Sequence, residues 1–351
     1  MIITAQKLHD TLTRVLLAAG ATEGNADIVA EHLVASEQAG VATHGLRPVY
    51  IYLKDIASGQ LLPAAEPAIL EESPTSALIT GNWTFGQVAA KFAMELAIEK
   101  ATAANIAIAS LVQLHHIGRL GYYSEMAAAA GMAAIVVGAG YCRPEQRTAP
   151  YGGRGKVLDT NPISIGFPNS QEPDGRPVLL DYATTFKAQG ALFLSKIRGE
   201  QLAPGFVIDP DGNPSTDPNV LDNGGSMLPF GTYKGYALMM AVEYLARIIS
   251  GSDDYIDPNH GDNMFRHQGV TMIVVKADLF RSMQSYADAA LEMSQQVRAV
   301  PPAPGFDKVR MPGDPEADAR IESASEGIRI ADDVWQMMAD QAVTVGIDVN
   351  A

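Results

Sequence analysis

The chain has 351 residues, of which 47% are hydrophobic, and a formal net charge of −15. A chain of this length can bury a large core and favours two domains. Its acidity argues against nucleic acid or an anionic membrane as a partner. Either would require clustered Lys and Arg side chains, and the sequence has no such cluster.

Cysteine content and hydropathy point to a soluble, cytoplasmic protein. The one cysteine, Cys142, excludes an internal disulfide and a cysteine metal site, and it fits a reducing compartment. The N-terminus lacks the basic and apolar segments of a signal peptide. The longest apolar helix candidate, residues 235–249, is interrupted by Glu243 and Arg247. It is also shorter than the ~20 apolar residues that cross a bilayer.

The first 60 residues are predicted to form three helices. Thr4 is a suitable N-cap for the first helix, whose apolar residues repeat with helical spacing up to Gly20. We expect Asn25 to cap the second helix, which ends at Gly40. The third helix stops near Gly59.

From residue 75 the pattern changes to alternating strands and helices. We predict strands at residues 76–80, 106–112, 133–138, 163–167, 178–182 and 270–276, and helices at residues 87–104, 234–249, 282–297 and 332–345. The helix at 234–249 is the most apolar and is predicted to be buried. Helical ends around an α/β centre predict a helical domain at residues 1–74 and an α/β ligand-binding domain at 75–299. A linker and C-terminal helical arm at 300–351 would pack on the first domain.

Two adjacent histidines, His115 and His116, follow the buried strand predicted at 106–112. Imidazole titrates near neutral pH and can exchange protons there. Gly118 and Gly121 would let backbone and ligand approach closely. The residues alone leave a second interpretation equally open, in which this is a polar loop with one histidine packed and one solvated.

The loop after the strand at 133–138 contains a G-x-G pattern, Gly138 and Gly140, that falls short of a dinucleotide fingerprint. Arg143 stands at the third glycine position, and the chain continues into Pro144 instead of opening a helix. We therefore predict no Rossmann domain.

A second glycine-containing loop, residues 228–236, leads directly into an apolar helix. Gly231, Lys234 and Gly235 lie at its start. Backbone N–H groups at a helix N-terminus can hold a phosphate. An ordinary loop with a solvated lysine is an equally open interpretation.

Polar residues at the ends of other elements are further candidates. Arg47 follows His44 by three residues, and its planar fork suits a carboxylate, to which Thr43 could add a hydroxyl donor. Asp181 ends a strand and could orient a histidine or a ligand hydroxyl. Thr160 precedes another strand and could line a site. Structural alternatives remain for each, as helix caps, turns or solvated side chains.

Together these segments resemble the type 2 malate/L-lactate dehydrogenase family, which includes sulfolactate, ureidoglycolate and diketogulonate oxidoreductases and a cyclic imine reductase. The resemblance runs through nearly the whole chain in the family's order. It rests on residues 43–45 (THG), 86–87 (GQ), 116–118 (HIG) with Gly121, 150–153 (PYGG), 160–162 (TNP), 181–184 (DYAT), 231–236 (GTYKGY) and 312–313 (PG).

The resemblance implies an α/β, non-Rossmann NAD(P)-binding fold with a mostly antiparallel central sheet, flanked by a helical domain made from both termini. It also implies a homodimer or a higher even oligomer. By position His116 would be the proton donor and acceptor, with His44 and Asp181 as further catalytic residues. The substrate carboxylate would be held by Thr43, Arg47, His115 and Thr160. NAD or NADP would be held by Gly118, Gly121, Gly140, Asp181, Ala183, Thr184, Lys234, Gly235, Gly313 and Asp314, and no metal site is predicted.

The chain also departs from the family's pattern. Thr43 stands where many members have serine, Lys187 replaces an apolar residue, and Asp314 stands where glutamate is common. The loop at residues 141–148 is longer than usual, and its arginines, Arg143 and Arg147, are candidates for contacting an NADP phosphate. These departures leave the substrate and the choice between NAD and NADP open.

The leading hypothesis is reversible hydride transfer between nicotinamide and C2 of a small 2-hydroxy or 2-oxo acid, or of a cyclic 2-imino acid. One rival is a metal-dependent hydrolase or lyase that uses His44, His115 and His116. Adjacent side chains of an extended chain diverge, which argues against that rival. A second rival is a non-catalytic ligand-binding protein.

Overall fold

The computed structural model describes residues 1–141, 143, 146–169, 171–172 and 175–350. Cys142 and part of the 141–148 loop therefore lie outside the described residues. The helices are α1 (Ala5–Ala18), α2 (Glu23–Gln38), α3 (Val49–Ala57), α4 (Gly86–Ala104), α5 (Leu120–Ala129), α6 (Gln189–Arg198), α7 (Tyr233–Glu243), α8 (Asp262–Phe265), α9 (Met283–Arg298), α10 (Asp314–Glu326) and α11 (Asp332–Ala342).

The strands are β1 (Ile2–Ile3), β2 (Ala68–Glu72), β3 (Ser76–Thr80), β4 (Ile106–Val112), β5 (Met132–Ala139), β6 (Ile163–Phe167), β7 (Val178–Tyr182), β8 (Val207–Ile208), β9 (Pro214–Ser215), β10 (Ser226–Met227), β11 (Gly269–Lys276) and β12 (Ile328–Arg329). Seven of them form one sheet in the order β2-β3-β4-β11-β5-β6-β7. β3 and β4 run parallel, and the other neighbours are antiparallel. The mixed α/β fold with a mostly antiparallel sheet is confirmed, and it differs from the parallel sheet of a Rossmann domain.

The two ends of the chain meet beside this sheet. β1 pairs with β12, and α1, α2, α3 and α11 share one hydrophobic cluster. Thr4 caps α1 as predicted, because its side chain accepts a hydrogen bond from the backbone N–H of Lys7. The domain boundaries at residues 74 and 299 stay a prediction.

α4 packs against the central strands through small residues. Ala89, Ala93 and Ala97 are buried in the cluster that contains β4 and β11. Short side chains let the helix approach the sheet closely, and this places the first turn of α4 next to the loop that carries His115 and His116. The described residues contain no helix that is both long and apolar enough to cross a membrane.

Two details of the helix predictions are wrong. Thr22, not Asn25, caps α2, and the Asn25 side chain instead donates to the carbonyls of Pro63 and Ala65. The helix predicted at 234–249 becomes a π-helical turn after Glu243, and it is not buried all round. One face packs on the sheet, while on the other Tyr244, Ile248 and Ile249 are exposed. Apolar composition alone does not show which face is covered.

The predictions also missed α5, α6, α10 and β2. α10 begins within residues 310–316, which are rich in Pro, Gly and charge and do not show an apolar helical pattern. In the structure that segment supplies the start of a polar helix. α5 was missed because its small residues give only a weak helical pattern.

Candidate active site

A cavity of about 590 Å³ lies between the segment leading into α3 and the edge of the sheet. Its lining includes eight of the predicted site residues, namely Thr43, His44, Arg47, His116, Gly118, Thr160, Asp181 and Ala183. A second, apolar cavity of about 430 Å³ lies where β6 ends and β7 begins, and Phe167, Val178 and Met311 line it. The two cavities therefore lie at opposite ends of the edge strand β7.

The loop that carries His116 is fixed by backbone contacts. Gly118 has φ +73°, and a side chain there would collide with the His32 ring. His32 accepts a hydrogen bond at Nε2 from the backbone N–H of Arg119, at 2.9 Å. The carbonyl of His115 accepts one from the Gln268 amide. This segment between β4 and α5 therefore needs glycine at position 118 and presents His116 in one orientation.

The His116 ring is half-buried and faces the larger cavity. Its Nδ1 lies 2.7 Å from the Tyr52 hydroxyl oxygen, and its Nε2 has no hydrogen-bond partner among the described residues. Burial and then the neighbouring His44 lower the pKa of His116 well below its usual value. The ring is therefore neutral at neutral pH and can accept a proton.

His115 points the other way. Its Nε2 lies 2.8 Å from Asp55 Oδ2, and both side chains are buried. Its ring also packs against Phe265, with the centroids 4.1 Å apart. The adjacent histidines diverge, as expected for successive side chains. Among the residues that the structure describes, no three His, Cys, Asp or Glu side chains group as metal ligands.

Thr43, His44 and Arg47 approach the cavity from the helical side. Thr43 and His44 lie in a 3₁₀ turn and are joined by a 3.0 Å contact between Oγ1 and Nδ1. The His44 ring stacks on His116 with centroids 5.6 Å apart. Burial and the positive charges of Arg119 and Arg47 lower the pKa of His44 to about 4. His44 is therefore a neutral hydrogen-bonding group at neutral pH.

Arg47 is held against an aromatic ring. Its guanidinium lies 4.8 Å from the centre of the Phe193 ring, and its buried Nε has no hydrogen-bond partner among the residues described. A buried N–H donor without a partner is costly, and an anionic ligand would satisfy it. This is the arrangement expected of a carboxylate-binding arginine.

Asp181 fixes the start of α5. Its Oδ2 accepts a hydrogen bond from the backbone N–H of Gly121 at 2.8 Å. Burial raises the pKa of Asp181 to about 6, and the charge of Arg119 opposes this rise. A Cβ on Gly121 would lie 2.6 Å from both Asp181 Oδ2 and an Arg119 nitrogen. No hydrogen bond joins Asp181 to a histidine within the described ranges, so its observed role is to orient backbone.

Several predicted cofactor residues lie outside the lining of the larger cavity. Thr184 is buried, and its hydroxyl donates to the carbonyls of Thr160 and Asn161. Gly140 has φ +82° and packs against the backbone of His267. Lys234 is exposed and Gly235 is buried, both in the first turn of α7.

Gly313 and Asp314 lie next to β7. The carbonyl that precedes Gly313 accepts a hydrogen bond from Leu179, which brings this turn alongside the strand. Asp314 is buried and pairs with Arg176 and Arg298, which hold the pKa of its carboxyl below the usual value. The cofactor roles assigned to these residues stay predictions.

Sequence reasoning missed three residues of the site. Tyr52 and Gln87 are buried beside His116, and Arg119 is buried against the cavity and pairs with Glu125. Arg119 lies within the same glycine-containing segment as His116, so its position was a usable signal. Of the two arginines proposed for NADP, Arg143 pairs with Asp253. The other, Arg147, lines the cavity with a buried nitrogen for which the described part of the chain provides no hydrogen-bond partner.

The chain is similar to known proteins over nearly its whole length. The model of a family described as malate/L-lactate dehydrogenase matches residues 3–339. A relative, hydroxycarboxylate dehydrogenase B of Escherichia coli (strain K12), is 34% identical over 355 residues, covering 98% of this chain and 94% of the relative.

Two solved structures share the fold. Sulfolactate dehydrogenase from Methanocaldococcus jannaschii has a TM-score of 0.87 at 28% identity, covering 100% of this chain and 99% of that one. Δ1-piperideine-2-carboxylate reductase from Pseudomonas syringae pvar. tomato has a TM-score of 0.83 at 29% identity, covering 97% and 99%.

Proposed function

The chain belongs to the malate/L-lactate dehydrogenase family, and from this premise we propose that it transfers a hydride between a nicotinamide cofactor and C2 of a small 2-hydroxy or 2-oxo acid. That it is an oxidoreductase acting on a hydroxy group follows from its dehydrogenase relatives. One observation supports the roles that we assign to His116 and Arg47. A neutral His116 shares a cavity with Arg47, and neither His116 Nε2 nor the buried Arg47 Nε has a hydrogen-bond partner within the described ranges.

The described residues fit a dinucleotide. When bound, the cofactor supplies the hydride acceptor or donor of the reaction. Asp181 lines the larger cavity and Val178 the smaller one, so the two cavities are separated by the length of β7. We assign the nicotinamide half to the larger cavity, next to Gly118, and the adenine half to the apolar one beside Met311. Such a pairing of polar and apolar pockets suits a ligand that carries a carboxamide-bearing ring at one end and an adenine ring at the other.

His116 would move the proton that accompanies the hydride. During oxidation the hydroxyl proton of the substrate passes to Nε2 as hydride leaves C2, and during reduction Nε2 returns it to the carbonyl oxygen. General acid–base catalysis of this kind contributes ~100- to 10,000-fold to the rate. Because its pKa is lowered, His116 starts in the neutral form that oxidation requires.

Arg47 would bind the substrate carboxylate through two parallel N–H donors. Thr43 and His44 lie on the same side of the cavity and would donate or accept further hydrogen bonds. His44 stays neutral beside Arg47 and Arg119, so it would orient the substrate without competing for the transferred proton.

We further propose that the chain forms a homodimer. The exposed apolar side chains of Tyr244, Ile248 and Ile249 are close together in sequence and form a surface that a second copy could cover. Light scattering at micromolar concentration should give twice the monomer mass, and a monomeric mass would contradict the proposal. Cytoplasmic location stays a prediction.

The function is tested by following the absorbance of reduced nicotinamide with NADH and NADPH separately. The panel should contain 2-oxo acids and cyclic 2-imino acids, so that the imine reductase alternative is decided in the same experiment. We expect turnover with at least one 2-oxo acid. Inactivity with both cofactors across the panel would instead favour a ligand-binding protein.

The role of His116 is tested by His116→Gln, which keeps a polar side chain of similar size but cannot act as a base. Turnover should fall by about 100-fold or more, while the cofactor dissociation constant, measured by fluorescence titration, stays unchanged. Turnover like that of the wild type would remove His116 from the mechanism.

A further inference from the structure

Two buried side chains, Tyr52 and Gln87, form a hydrogen-bonded chain with the proposed proton-transfer residue, His116. Gln87 Nε2 lies 2.6 Å from the Tyr52 hydroxyl oxygen, which lies 2.7 Å from His116 Nδ1. Tyr52 is 0% exposed and Gln87 is 1% exposed, so water does not complete their hydrogen bonds. They come from α3 and from the first turn of α4, on either side of the loop that carries His116.

The hydroxyl of Tyr52 has one hydrogen and two neighbours. If the Gln87 amide presents its nitrogen, the hydroxyl hydrogen must go to Nδ1 of His116. The neutral ring then carries its own hydrogen on Nε2, where it cannot accept a proton from a substrate. In that orientation Gln87 Oε1 is buried without a partner among the described residues, and in the turned orientation Nε2 takes that place, so the unpartnered position does not distinguish the two.

Rotating the Gln87 amide by half a turn about its last side-chain bond exchanges its oxygen and nitrogen, and this reverses the direction of both hydrogen bonds. Amide oxygen and nitrogen are assigned from the hydrogen-bond network, and both orientations fit the same space. Oε1 then accepts the Tyr52 hydrogen, and the Tyr52 oxygen accepts the N–H of His116 Nδ1. The lone pair of Nε2 now faces the cavity, which is the form that a general base needs.

We propose that Tyr52, oriented by Gln87, is a positioning residue that holds His116 in the tautomer with its hydrogen on Nδ1. This inference rests on the proposed role of His116. During oxidation Nε2 takes the hydroxyl proton of the substrate, and hydride leaves C2 for the nicotinamide. Tyr52 keeps its own hydrogen and accepts the N–H of the imidazolium, so no proton leaves the chain of three residues.

Two features make Tyr52 suitable for this task. Burial raises its pKa well above the usual value, so the hydroxyl does not ionise and keeps its hydrogen. Its ring is fixed by edge contacts with Phe85 and His115, whose centroids both lie 5.8 Å away. Besides Tyr52, the titratable and charged groups that act electrostatically on His116 are His44, His115, His32 and Arg47, and none of these four hydrogen-bonds its ring in the described part of the chain.

The first test is Tyr52→Phe, which keeps the ring contacts and removes the hydroxyl. Turnover in the oxidation direction should fall on the order of 10- to 100-fold, with little change in KM. The imidazolium loses the acceptor of its Nδ1 hydrogen and becomes less stable. The acid limb of the kcat/KM profile should therefore move to lower pH. An unchanged profile in a folded variant overturns the inference.

Tyr123→Phe is the matched control. Tyr123 is also 0% exposed, and its hydroxyl donates to the carbonyl of Ile117, in the same loop as His116. This change loosens the loop without touching a nitrogen of His116. We expect a lower melting temperature and an unshifted pH profile. A shift equal to that of Tyr52→Phe would show that the loop, and not the tautomer, is responsible.

The orientation of Gln87 is tested by comparing Gln87→Glu with Gln87→Met. A carboxyl group still accepts the Tyr52 hydrogen, whereas methionine does not. We expect Gln87→Glu to keep turnover within a few-fold of the wild type and Gln87→Met to resemble Tyr52→Phe. If both variants fold and lose turnover equally, Gln87 does not act as the acceptor.

A double variant separates this inference from the proposed function. In a His116→Gln background, Tyr52→Phe should reduce turnover no further, because Tyr52 acts through His116. If His116→Gln alone leaves turnover unchanged, the role of His116 fails. If His116→Gln abolishes turnover and Tyr52→Phe leaves the pH profile unchanged, only the role of Tyr52 fails.

Discussion

The two sides of the larger cavity are built in different ways. The helical side presents charged and titratable side chains, such as Arg47 and His44, from the turn that precedes α3. The sheet side presents His116 and Asp181 beside closely packed glycines, as at Gly118 and, behind the lining, Gly121, where an added side chain would collide. The difference suggests that substrate choice can change by substitution on the helical side, while the sheet side tolerates little change. Thr43 lies on the helical side.

Among the variants that test this comparison, Arg47→Met should have the largest effect on activity. The variant keeps a long apolar side chain against Phe193 and removes both charged donors. We expect kcat/KM for the acid substrate to fall on the order of 100-fold. Cofactor affinity should be unchanged because the sheet side is intact. Arg198→Met, at an exposed ion pair with Asp333, is the control and should leave both values unchanged. An equal loss of cofactor affinity in Arg47→Met would contradict the division of the cavity into a substrate side and a cofactor side.

Gly121→Ala should have a smaller effect, on the opposite side. The added methyl meets Asp181 Oδ2 and an Arg119 nitrogen, so the start of α5 must shift. We expect cofactor affinity to fall about 10-fold, with little change in substrate KM at saturating cofactor. Gly24→Ala is a suitable control because its added methyl would have no neighbour within 4 Å. A change in substrate KM alone would contradict the expectation that Gly121 affects cofactor binding.

Glu37→Gln should have the smallest effect on activity and a clear effect on stability. Glu37 lies under Gly45 and accepts a hydrogen bond from the Leu46 N–H, which a glutamine oxygen can also accept. Burial raises the pKa of Glu37 from 4.5 to about 7. Its protonated form therefore stabilises the fold below pH 4.5, and that contribution is lost as pH rises through 7.

The variant should thus match the wild type at pH 4.5 and become more stable above it. The difference should reach on the order of 1–3 kcal/mol near pH 8. Urea unfolding across this range measures it. Glu31→Gln, at an exposed ion pair on the same helix, is the control. A difference between Glu37→Gln and the wild type that does not depend on pH would show that Glu37 is already ionised in the folded chain.

Local patterns in the sequence predicted much of the fold. β3, β4, β6 and β7 have the predicted bounds, because each is a short apolar run between turn residues. His116, Arg47 and Asp181 were placed at element ends, and the structure brings them into one cavity. Their position was predictable because polar side chains at the end of a buried strand or helix are expected to lie at a cavity or at the surface.

The contacts around His116 were not predictable in this way. Tyr52, Gln87 and His116 belong to three elements that are distant in sequence, and Tyr52 and Gln87 each look like an ordinary interior residue. The helical pattern of α3 shows only that Tyr52 faces inward. Which atom it meets depends on how α3, α4 and the loop after β4 pack, and that is a tertiary property.

The meeting of the two chain ends has a consequence for biosynthesis. The N-terminal ammonium donates to the carbonyl of Ile330, and the cluster under α1, α2 and α3 is completed by Val334, Trp335 and Met338. The ribosome synthesises α3 early and the residues of α11 late. The helical side that carries Arg47 therefore cannot complete its hydrophobic cluster until α11 has been made. The sheet, whose strands are complete by Lys276, can assemble sooner. We expect a nascent chain stalled before α11 to bind nucleotide before it can recognise an acid.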